Sequence, residues 1–450
     1  MPGEKPIKKT VPFTRTQIEK LEKEYPTPFH IYDEEAIRAG ARRLSKAFSW
    51  VPGPDGKKGG FLNYFAVKAL PNPYILRVLK EEGMGADCSS LPELQLADAV
   101  GMKGEDIMFT SNDTPAEEFV VAKKLGAIIN LDDITHLDFL EKCAGIPRLI
   151  CFRYNPGEEY CHGNTIIGNP DEAKYGLTHD QILKAYKMAQ KKGAKRFGLH
   201  AMIVSNQRDE EILADAARLL FGLAAEIHEK TGITPEFINL GGGVGIPYSP
   251  ADHLVDIEVF ARKVHEAYKE NIVENGIAPI RVVMENGRAI TGPYGYLVSR
   301  VRHVAKKHRD YVGLDACMAN LMRPALYGAY HHITVMGKEK KPLNHVYDVT
   351  GSLCENNDKF AVQRFLPEIT PGDLMVIHES GAHGHAMGFN YNGKLRSAEF
   401  LMQAGGKFKL IRRAETANDY FATLDFKGSD FSGLAKKKAP AATPAKSKKQ

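Results

Sequence analysis

Asn63-Tyr64-Phe65-Ala66-Val67-Lys68-Ala69 is a short apolar run with one lysine near its end, and the turn formers Pro71, Asn72 and Pro73 follow it. Such a run predicts a buried strand that ends close to the lysine. A lysine in that place has two interpretations. Its stem could lie along the strand end while its amine reaches solvent, or its amine could form a Schiff base at the mouth of a barrel. This stretch alone leaves both interpretations open.

Strand and helix patterns alternate around this run, about eight times between residues 30 and 290. The other predicted strands are Thr27–Tyr32, Gly85–Cys88, Ile107–Thr110, Ala127–Leu131, Arg148–Tyr154, Phe197–Val204, Glu236–Leu240 and Arg281–Met284. The predicted helices are Glu34–Phe48, Tyr74–Glu82, Leu91–Val100, Ala116–Leu125, Ile134–Cys143, His179–Lys192, Asp209–Thr231 and Val255–Asn275. The length and the alternation predict an α/β fold, a (β/α)8 barrel of about 250 residues with parallel strands. A doubly wound sheet would show the same periodicity.

A different pattern begins after Gly295. The predicted strands there are Tyr296–Ala305, Tyr311–Leu314, His331–Met336, Asn344–Gly351, Asp373–His378 and Lys407–Arg412, with helices only at Asn357–Phe360 and Ala382–Phe389. This indicates a C-terminal, mostly β domain. We expect an N-terminal extension over 1–26, the barrel over 27–290, the β domain over 291–432 joined by the first strand near 27–33, and a disordered Lys/Ala/Pro tail over 433–450.

Composition limits the class of protein. The chain has 450 residues, of which 43% are hydrophobic and 26% charged, as in globular enzymes. No apolar run approaches the roughly 20 residues that span a bilayer, and the polar N-terminus, Met1 to Thr10, does not have the pattern of a signal peptide. The six cysteines form no C-x-x-C pair, which is typical of reduced thiols. We therefore expect a cytoplasmic protein without a membrane partner.

The net charge of +5 comes from the C-terminal tail, whose last fifteen residues hold six lysines. Without those lysines the rest of the chain is close to neutral. A neutral body does not favour a specific nucleic-acid partner.

Two stretches after predicted strands carry residues suited to an anionic cofactor. Gly241-Gly242-Gly243-Val244-Gly245 could wrap an anion with backbone N–H groups, or could form a tight turn only. Glu285-Asn286-Gly287-Arg288 could be a structural ion pair, or could hold a ring nitrogen and an anionic group. Pyridoxal phosphate (PLP) needs a lysine, an anion cradle and a carboxylate beside its pyridinium nitrogen. Strand-end residues of a barrel face its active site, so these groups and Lys68 would meet there.

A series of motifs extends this interpretation along the chain. They are Tyr-Phe-Ala-Val-Lys-Ala (64–69), Gly-Ala-Asp-Cys-Ser-Ser-Leu-Pro-Glu-Leu (85–94), the glycine run (241–245), Glu-Asn-Gly-Arg (285–288), Asp-Ala-Cys-Met (315–318), Arg-Pro-Ala-Leu-Tyr (323–327), Leu-Cys-Glu (353–355) and Asn-Tyr-Asn (390–392). In this order, from about residue 27 to 425, they resemble the diaminopimelate decarboxylases, which are PLP-dependent enzymes of the alanine racemase fold.

The resemblance implies a homodimer whose active sites are shared between subunits. Lys68 would bind PLP as a Schiff base, and Glu285 would face the pyridinium nitrogen. Cys354, contributed by the other subunit, would protonate the substrate carbon after CO2 leaves. The implied cofactor-binding residues are Lys68, Asp87, His200, Met202, Ser205, Gly242, Gly243, Glu285, Gly287 and Tyr391. Those implied for the far end of the substrate are Arg288, Arg323, Tyr327 and Glu355, because a zwitterionic group needs both signs and arginine binds carboxylates bidentately.

The chain departs from the family pattern at several positions. The family has His-x-His-Ile-Gly-Ser where this chain has His200-Ala201-Met202-Ile203-Val204-Ser205, so Met202 stands where a histidine would stack on the PLP ring. We expect Met202 to cover one face of the ring by soft packing, and His200 to take that role if the alignment of this strand is shifted by two residues. Asn356-Asn357 replace Ser-Gly, His383 replaces a common tyrosine and Asn320 a common aspartate.

Two other interpretations concern metal and nucleophile chemistry. His378, His383 and His385 could suggest a metal site, but no matched Cys/His spacing supports one, and we predict none. Cys161-His162 could be a nucleophile pair, but adjacent loop residues need not face each other.

The sequence therefore predicts a PLP-dependent amino-acid decarboxylase, with meso-2,6-diaminopimelate as substrate and L-lysine and CO2 as products. The alternatives are a decarboxylase of another basic amino acid, such as D-lysine, D-ornithine or carboxynorspermidine, and a PLP-fold regulatory protein that has lost catalysis.

Overall fold

The computed structural model describes residues 6–53, 55–57, 59–157 and 172–425. The Lys/Ala/Pro tail and the Cys161-His162 pair lie outside these residues. In the described part of the chain no helix has the length and apolar character needed to cross a bilayer.

Strands and helices alternate through the first two thirds of the described chain, and strands dominate the last third. The strands are β1 (Phe29–Asp33), β2 (Leu62–Ala66), β3 (Gly85–Cys88), β4 (Ile107–Thr110), β5 (Ile128–Leu131), β6 (Leu149–Tyr154), β7 (Arg196–Ala201), β8 (Phe237–Asn239), β9 (Arg281–Met284), β10 (Gly295–Lys306), β11 (Asp310–Leu314), β12 (Ile333–Val335), β13 (His345–Thr350), β14 (Lys359–Leu366), β15 (Leu374–Ile377), β16 (Ala398–Gln403) and β17 (Lys407–Arg412). The α-helices are α1 (Arg15–Leu21), α2 (Glu34–Ala47), α3 (Pro73–Glu81), α4 (Leu91–Ala99), α5 (Ala116–Leu125), α6 (His136–Cys143), α7 (His179–Lys191), α8 (Glu210–Thr231), α9 (Ile257–Tyr268), α10 (Arg288–Thr291), α11 (Arg323–Tyr327) and α12 (Ala417–Phe421).

The strands β2 to β9 form a closed parallel barrel, in which each strand pairs with the next and β9 pairs back with β2. Apolar side chains on the outer face of these strands pack against the helices and make the main hydrophobic core. The (β/α)8 barrel predicted from the alternating pattern is confirmed, and the doubly wound alternative is excluded because the sheet closes.

Alternate side chains of the barrel strands point inward, and their character changes along each strand. The inward apolar side chains form a separate small cluster that includes Met108, Ile128, Cys151, Phe237 and Val283. Two positions later on the same strands, the inward residues are polar: Thr110, Asn130, Arg153, Asn239 and Glu285. The barrel is therefore filled by apolar groups towards the strand starts and by polar groups towards the carboxyl ends.

The second sheet is mostly antiparallel and has the order β14-β13-β11-β10-β1-β16-β17. In addition, β15 pairs with β10, and β12 pairs with β15. β1 lies between β10, to which it is antiparallel, and β16, to which it is parallel. The chain thus forms a strand of the β domain first, and α2 then leads into the barrel. Asp33 starts α2 as predicted, since its side chain accepts a hydrogen bond from the Ala36 N–H (3.1 Å).

Some predicted elements of the β domain were wrong. The predicted helix Asn357–Phe360 is not formed, because residues from Lys359 onward belong to β14. The pairing of β14 with β13 contains register shifts, so buried and exposed side chains do not alternate regularly along β14. The sequence therefore lacks the alternating pattern that would predict a strand. The predicted helix Ala382–Phe389 is reduced to a single 3-10 turn, His385–Met387.

Candidate active site

The carboxyl ends of the barrel strands surround a cavity that is lined by ten of the predicted site residues: Lys68, Asp87, His200, Met202, Ser205, Gly242, Gly243, Glu285, Gly287 and Arg288. Residues that were not predicted also line it, namely Ala66, Ser89, Thr110, Asn112, Arg153, Asn206, Val244, Asn286 and His383. The structure therefore brings together side chains that are up to 317 positions apart in the chain, from Ala66 to His383.

Lys68 lies just beyond the end of β2. The strand stops at Ala66, and a 3-10 turn over Val67–Ala69 carries the lysine out of the strand. Val67 and Ala69 are buried and fix the turn, whereas Lys68 is exposed. Its amine is therefore accessible to a carbonyl group in the cavity.

Glu285 lies inside the barrel at the end of β9 and is bonded on both of its carboxylate oxygens. The Asn239 amide donates a hydrogen bond to Oε1 (2.7 Å), and His200 Nε2 lies 3.2 Å from Oε2. Burial alone would raise the pKa of Glu285, but His200, then Lys68 and Asn239, lower it to about 2. Glu285 is therefore an ionised carboxylate inside a protein core.

A second layer of contacts orients His200. The Asn130 amide lies 2.8 Å from His200 Nδ1. Asn130, His200 and Glu285 come from β5, β7 and the end of β9, and each is an inward residue of its strand. Both edges of the His200 ring are thus engaged in the barrel wall.

Asp87 is the other carboxylate of the cavity, and its pKa is shifted in the opposite direction. It is buried on β3, and burial, followed by the negative charge of Glu285, raises its pKa well above the ordinary value, although Lys68 opposes this shift. The two carboxylates therefore do not share the same charge, and the ionised one is Glu285.

The glycine loop after β8 lies against its neighbours at very short distances. A Cβ on Gly242 would lie 2.7 Å from the Glu285 carbonyl oxygen, and one on Gly243 would lie 2.5 Å from that of Val204. Gly243 also has a left-handed φ of 96°. The loop is thus a tight turn, and it also presents its backbone to the cavity.

Met202 follows β7 at the edge of the cavity. Its sulfur accepts a hydrogen bond from the Gly242 N–H (3.2 Å), which joins the end of β7 to the glycine loop. Met202 is therefore placed beside the anion cradle, while His200 is held deeper in the barrel by Asn130 and Glu285.

Arg288 lines the cavity, and Arg323, which does not line it, contacts the same tyrosine, Tyr248. Arg288 donates a hydrogen bond from Nη1 to the Tyr248 hydroxyl (2.5 Å), and the guanidinium of Arg323 lies 4.9 Å from the centre of the same ring. Both arginines are buried, and among the described residues neither forms an ion pair with a carboxylate. Tyr327 contacts the Arg323 guanidinium from another side (5.8 Å).

The comparisons with known proteins agree with this geometry. Residues 53–292 match the family described as "Pyridoxal-dependent decarboxylase, pyridoxal binding domain". The chain belongs to the pyridoxal-dependent decarboxylases. It is 43% identical to Protein TabA of Pseudomonas amygdali pv. tabaci (92% of this chain and 94% of that protein) and 36% identical to the diaminopimelate decarboxylase of Methanothermobacter thermautotrophicus (89% and 92%).

Solved structures of diaminopimelate decarboxylases have the same architecture as this decarboxylase. The enzyme from M. jannaschii superimposes with a TM-score of 0.83 at 30% identity, covering 90% of this chain and 93% of that one. The enzyme from Helicobacter pylori in complex with L-lysine gives 0.81 at 28% identity, covering 90% and 98%. This chain is accordingly a fold type III, PLP-dependent amino-acid decarboxylase.

The cavity of the decarboxylase fits PLP. It contains one accessible amine, one ionised carboxylate and a glycine loop whose Cα positions leave no room for side chains, which is the set of groups that this cofactor requires. Lys68 would hold the aldehyde carbon, Glu285 the ring nitrogen, and Ser205, Gly242, Gly243 and Gly287 the phosphate. When bound, PLP supplies an electron sink for the bond that breaks at the substrate's α-carbon. An ionised Glu285 beside the ring nitrogen would favour the protonated form of that nitrogen.

Five predicted residues of the decarboxylase do not line its cavity: Arg323 and Tyr327, which contact each other, and three residues farther along the chain. Cys354, Glu355 and Tyr391 are in the β domain and do not line the cavity of the described chain. Cys354 and Tyr391 are exposed, and the Cys354 N–H donates to the Asn392 side chain (2.7 Å), so these segments lie together on the surface.

The sequence reasoning missed Asn130, Arg153 and Asn239 as parts of this site. The available signal was their position at the ends of barrel strands, two residues after an inward apolar residue. His378, His383 and His385, considered above for a metal site, have separate surroundings: His378 contacts Thr334 (2.8 Å), His385 contacts the Ser397 carbonyl (3.0 Å) and His383 lines the cavity. In the described chain no three potential metal ligands come together.

Proposed function

We propose that this decarboxylase acts on meso-2,6-diaminopimelate and produces L-lysine and CO2, as a cytoplasmic enzyme of lysine biosynthesis. The reacting end of the substrate would lie at Lys68. The far end, an α-amino acid group with one carboxylate and one ammonium, would lie at Arg288 and Arg323.

The observation that supports this substrate is the pair of buried arginines. A buried charge without a counter-ion is costly, and two of them near each other are more so. A substrate carboxylate between Arg288 and Arg323 would supply the missing negative charge and could accept bidentate hydrogen bonds. Amino acids whose far end is only an amine, such as lysine or ornithine reacting at their own α-carbon, would add a positive charge there instead.

The remaining requirements would be met by a second subunit. A substrate ammonium at the far end needs an acidic partner, and Glu355 is the predicted one, but it lies outside the cavity of its own chain. We propose a homodimer in which Cys354, Glu355 and Tyr391 of each subunit complete the cavity of the other. Cys354 would then deliver a proton to the substrate carbon, and Tyr391 would contact the phosphate.

Measuring CO2 release tests the proposed substrate. The panel contains meso-diaminopimelate and both enantiomers of lysine, ornithine and arginine, with the Lys68→Ala variant as the inactive control. We expect meso-diaminopimelate to have the highest kcat/KM by at least about a hundredfold, since an unpaired buried charge costs several kcal/mol. A higher kcat/KM for any substrate without a far-end carboxylate would overturn the proposal.

A further inference from the structure

Tyr248 contacts both arginines. Its hydroxyl accepts the hydrogen bond from Arg288 Nη1 (2.5 Å), while the face of its ring contacts the guanidinium of Arg323 (4.9 Å). The residue is 5% exposed and lies in the loop that continues from the glycine run. The Arg288 guanidinium also lies 5.9 Å from the centre of this ring, so one side chain contacts both cations.

These contacts leave the arginine donors available. A cation–π contact occupies no hydrogen-bond acceptor, so the guanidinium can still donate its N–H groups to a ligand. Consistent with this, the buried Arg323 Nε has no hydrogen-bond partner among the described residues. The Tyr248 hydroxyl engages only Nη1 of Arg288, so its other donors remain for a ligand.

Tyr248 also packs against the uncharged ring of His331. His331 packs edge-on against it with ring centres 4.9 Å apart, and His331 Nδ1 lies 2.8 Å from the His378 carbonyl oxygen. Burial, together with the positive charge of Arg323, lowers the pKa of His331 to about 3, so this ring adds no third cation at neutral pH. The Tyr248 ring is therefore packed against His331 as well as against the arginines.

The charges of the two arginines repel each other. Burial lowers the pKa of Arg323, Tyr248 opposes this shift, and the charge of Arg288 adds to it. An aromatic ring that contacts both cations attracts each of them.

We infer that Tyr248 is a positioning residue that sets the specificity of this decarboxylase for ligands carrying a carboxylate at the end remote from the reacting carbon. The inference rests on the proposed function, because it assumes that Arg288 and Arg323 bind that carboxylate. Tyr248 does not contact the reacting atoms; it holds the two guanidiniums in the orientation in which their free N–H groups converge on the carboxylate.

The test compares the binding of two ligands that differ in that carboxylate. L-lysine, the expected product, retains it, whereas cadaverine lacks it. Their affinities for the PLP-loaded enzyme are measured by titration of its visible absorption band, in the wild type and in Tyr248→Phe and Tyr248→Leu. Phenylalanine keeps the ring and loses the hydroxyl, and leucine loses both. Tyr74→Leu is the matched control, because Tyr74 also contacts two cations, Arg77 (5.1 Å) and Lys409 (4.4 Å), but does not line the cavity.

We expect Tyr248→Phe to weaken the binding of L-lysine roughly threefold to tenfold, which is the effect of one lost hydrogen bond. Tyr248→Leu should weaken this binding roughly thirtyfold or more. Cadaverine affinity and the control variant should change less than about twofold. If the wild type prefers L-lysine but neither Tyr248 variant reduces that preference, the role assigned to Tyr248 is wrong. If the wild type shows no preference for L-lysine over cadaverine, the proposed function itself fails. Because the Phe variant preserves the packing, a folding defect in the Leu variant leaves the test intact.

Discussion

Glu285 and Asp87 are two buried carboxylates in one cavity that hold different charges. They lie on the two strands that flank β2, and the partners of Glu285 decide the outcome: His200 and the Asn239 amide bind its oxygens directly. Burial, and then the Glu285 charge, raises the pKa of Asp87. A cofactor nitrogen in this cavity would therefore face one permanent negative charge, which is what stabilises its protonated form.

Lys68 is the residue that we propose for attachment of the cofactor. In Lys68→Ala we expect no PLP to be fixed to the protein by borohydride, and no turnover, because no other lysine lines the cavity in the described chain. Intact-mass measurement after reduction checks this. Lys80→Ala removes an exposed lysine on α3 and should leave the adduct unchanged. A reducible adduct in Lys68→Ala would show that another lysine binds the cofactor.

Met202 offers a second prediction at the scale of one side chain. Contact between a thioether and an aromatic ring contributes about 0.3–1.5 kcal/mol, so Met202→Leu should change PLP affinity less than about tenfold. Met202→Ala should weaken PLP more than Leu does, because it leaves a gap and also removes the sulfur that the Gly242 N–H contacts.

PLP titration of the apo-protein compares these two variants with Met188→Ala, a half-buried methionine on α7. Equal affinities in wild type, Leu and Ala would show that Met202 does not touch the ring. Weaker PLP binding by Met202→Leu than by Met202→Ala would contradict the packing argument.

At the scale of elements, the N-terminal segment ties the Tyr248 loop to the β domain. Lys9 donates hydrogen bonds to the Pro247 carbonyl (2.5 Å) and to Glu379 (2.7 Å), and both members of the Lys9–Glu379 pair are only 6% exposed. Burial raises the pKa of Glu379 to about 7 in spite of Lys9. This pair is therefore a buried contact between the two parts of the fold, and its strength depends on pH.

The pH dependence of stability follows from that shift. The folded-state pKa of Glu379 lies above the ordinary 4.5, so the folded state binds this proton more tightly than the unfolded chain. The contribution of Glu379 to the free energy of unfolding should decrease as pH rises from about 5 to about 7. Lys9→Met removes the counter-ion. We expect the loss at about pH 8, where Glu379 is ionised, to exceed the loss at about pH 5 by roughly 1 kcal/mol, because pH 8 lies only slightly above this pKa and a tenfold change in proton affinity corresponds to about 1.4 kcal/mol.

Chemical denaturation at the two pH values measures these losses. Lys8→Met is the control, because Lys8 is exposed one position away. Glu379→Gln, added to Lys9→Met, should remove the difference between the two pH values. If Lys9→Met lowers the free energy of unfolding equally at both pH values, the titration of Glu379 is not the cause of the loss.

At the scale of the whole molecule, the surface position of Cys354 and Tyr391 leads to a complementation experiment. If each cavity takes Cys354 from the other subunit, mixed dimers of Lys68→Ala and Cys354→Ala contain one intact site out of two. Random pairing makes half of the dimers mixed, so about a quarter of the wild-type activity should return. Mixing Lys68→Ala with Glu285→Gln is the matched control: both changes lie in the same cavity of one chain, so no site is restored. No recovery in the first mixture, despite demonstrated subunit exchange, would mean that each site is built within one chain.

The sequence by itself determined the strands and helices from Leu62 to Met284 and the location of Lys68 and Glu285, because apolar periodicity and strand-end position are local properties that tertiary contacts did not overturn. It did not determine β14, whose pattern is interrupted by irregular pairing with β13. Only the tertiary structure decided that Asn130, Asn239 and His200 converge on Glu285, since which side chains meet depends on how eight strands are staggered around the barrel. It also decided that Tyr248 contacts both Arg288 and Arg323, because those three side chains meet only once the β domain packs against the mouth of the barrel.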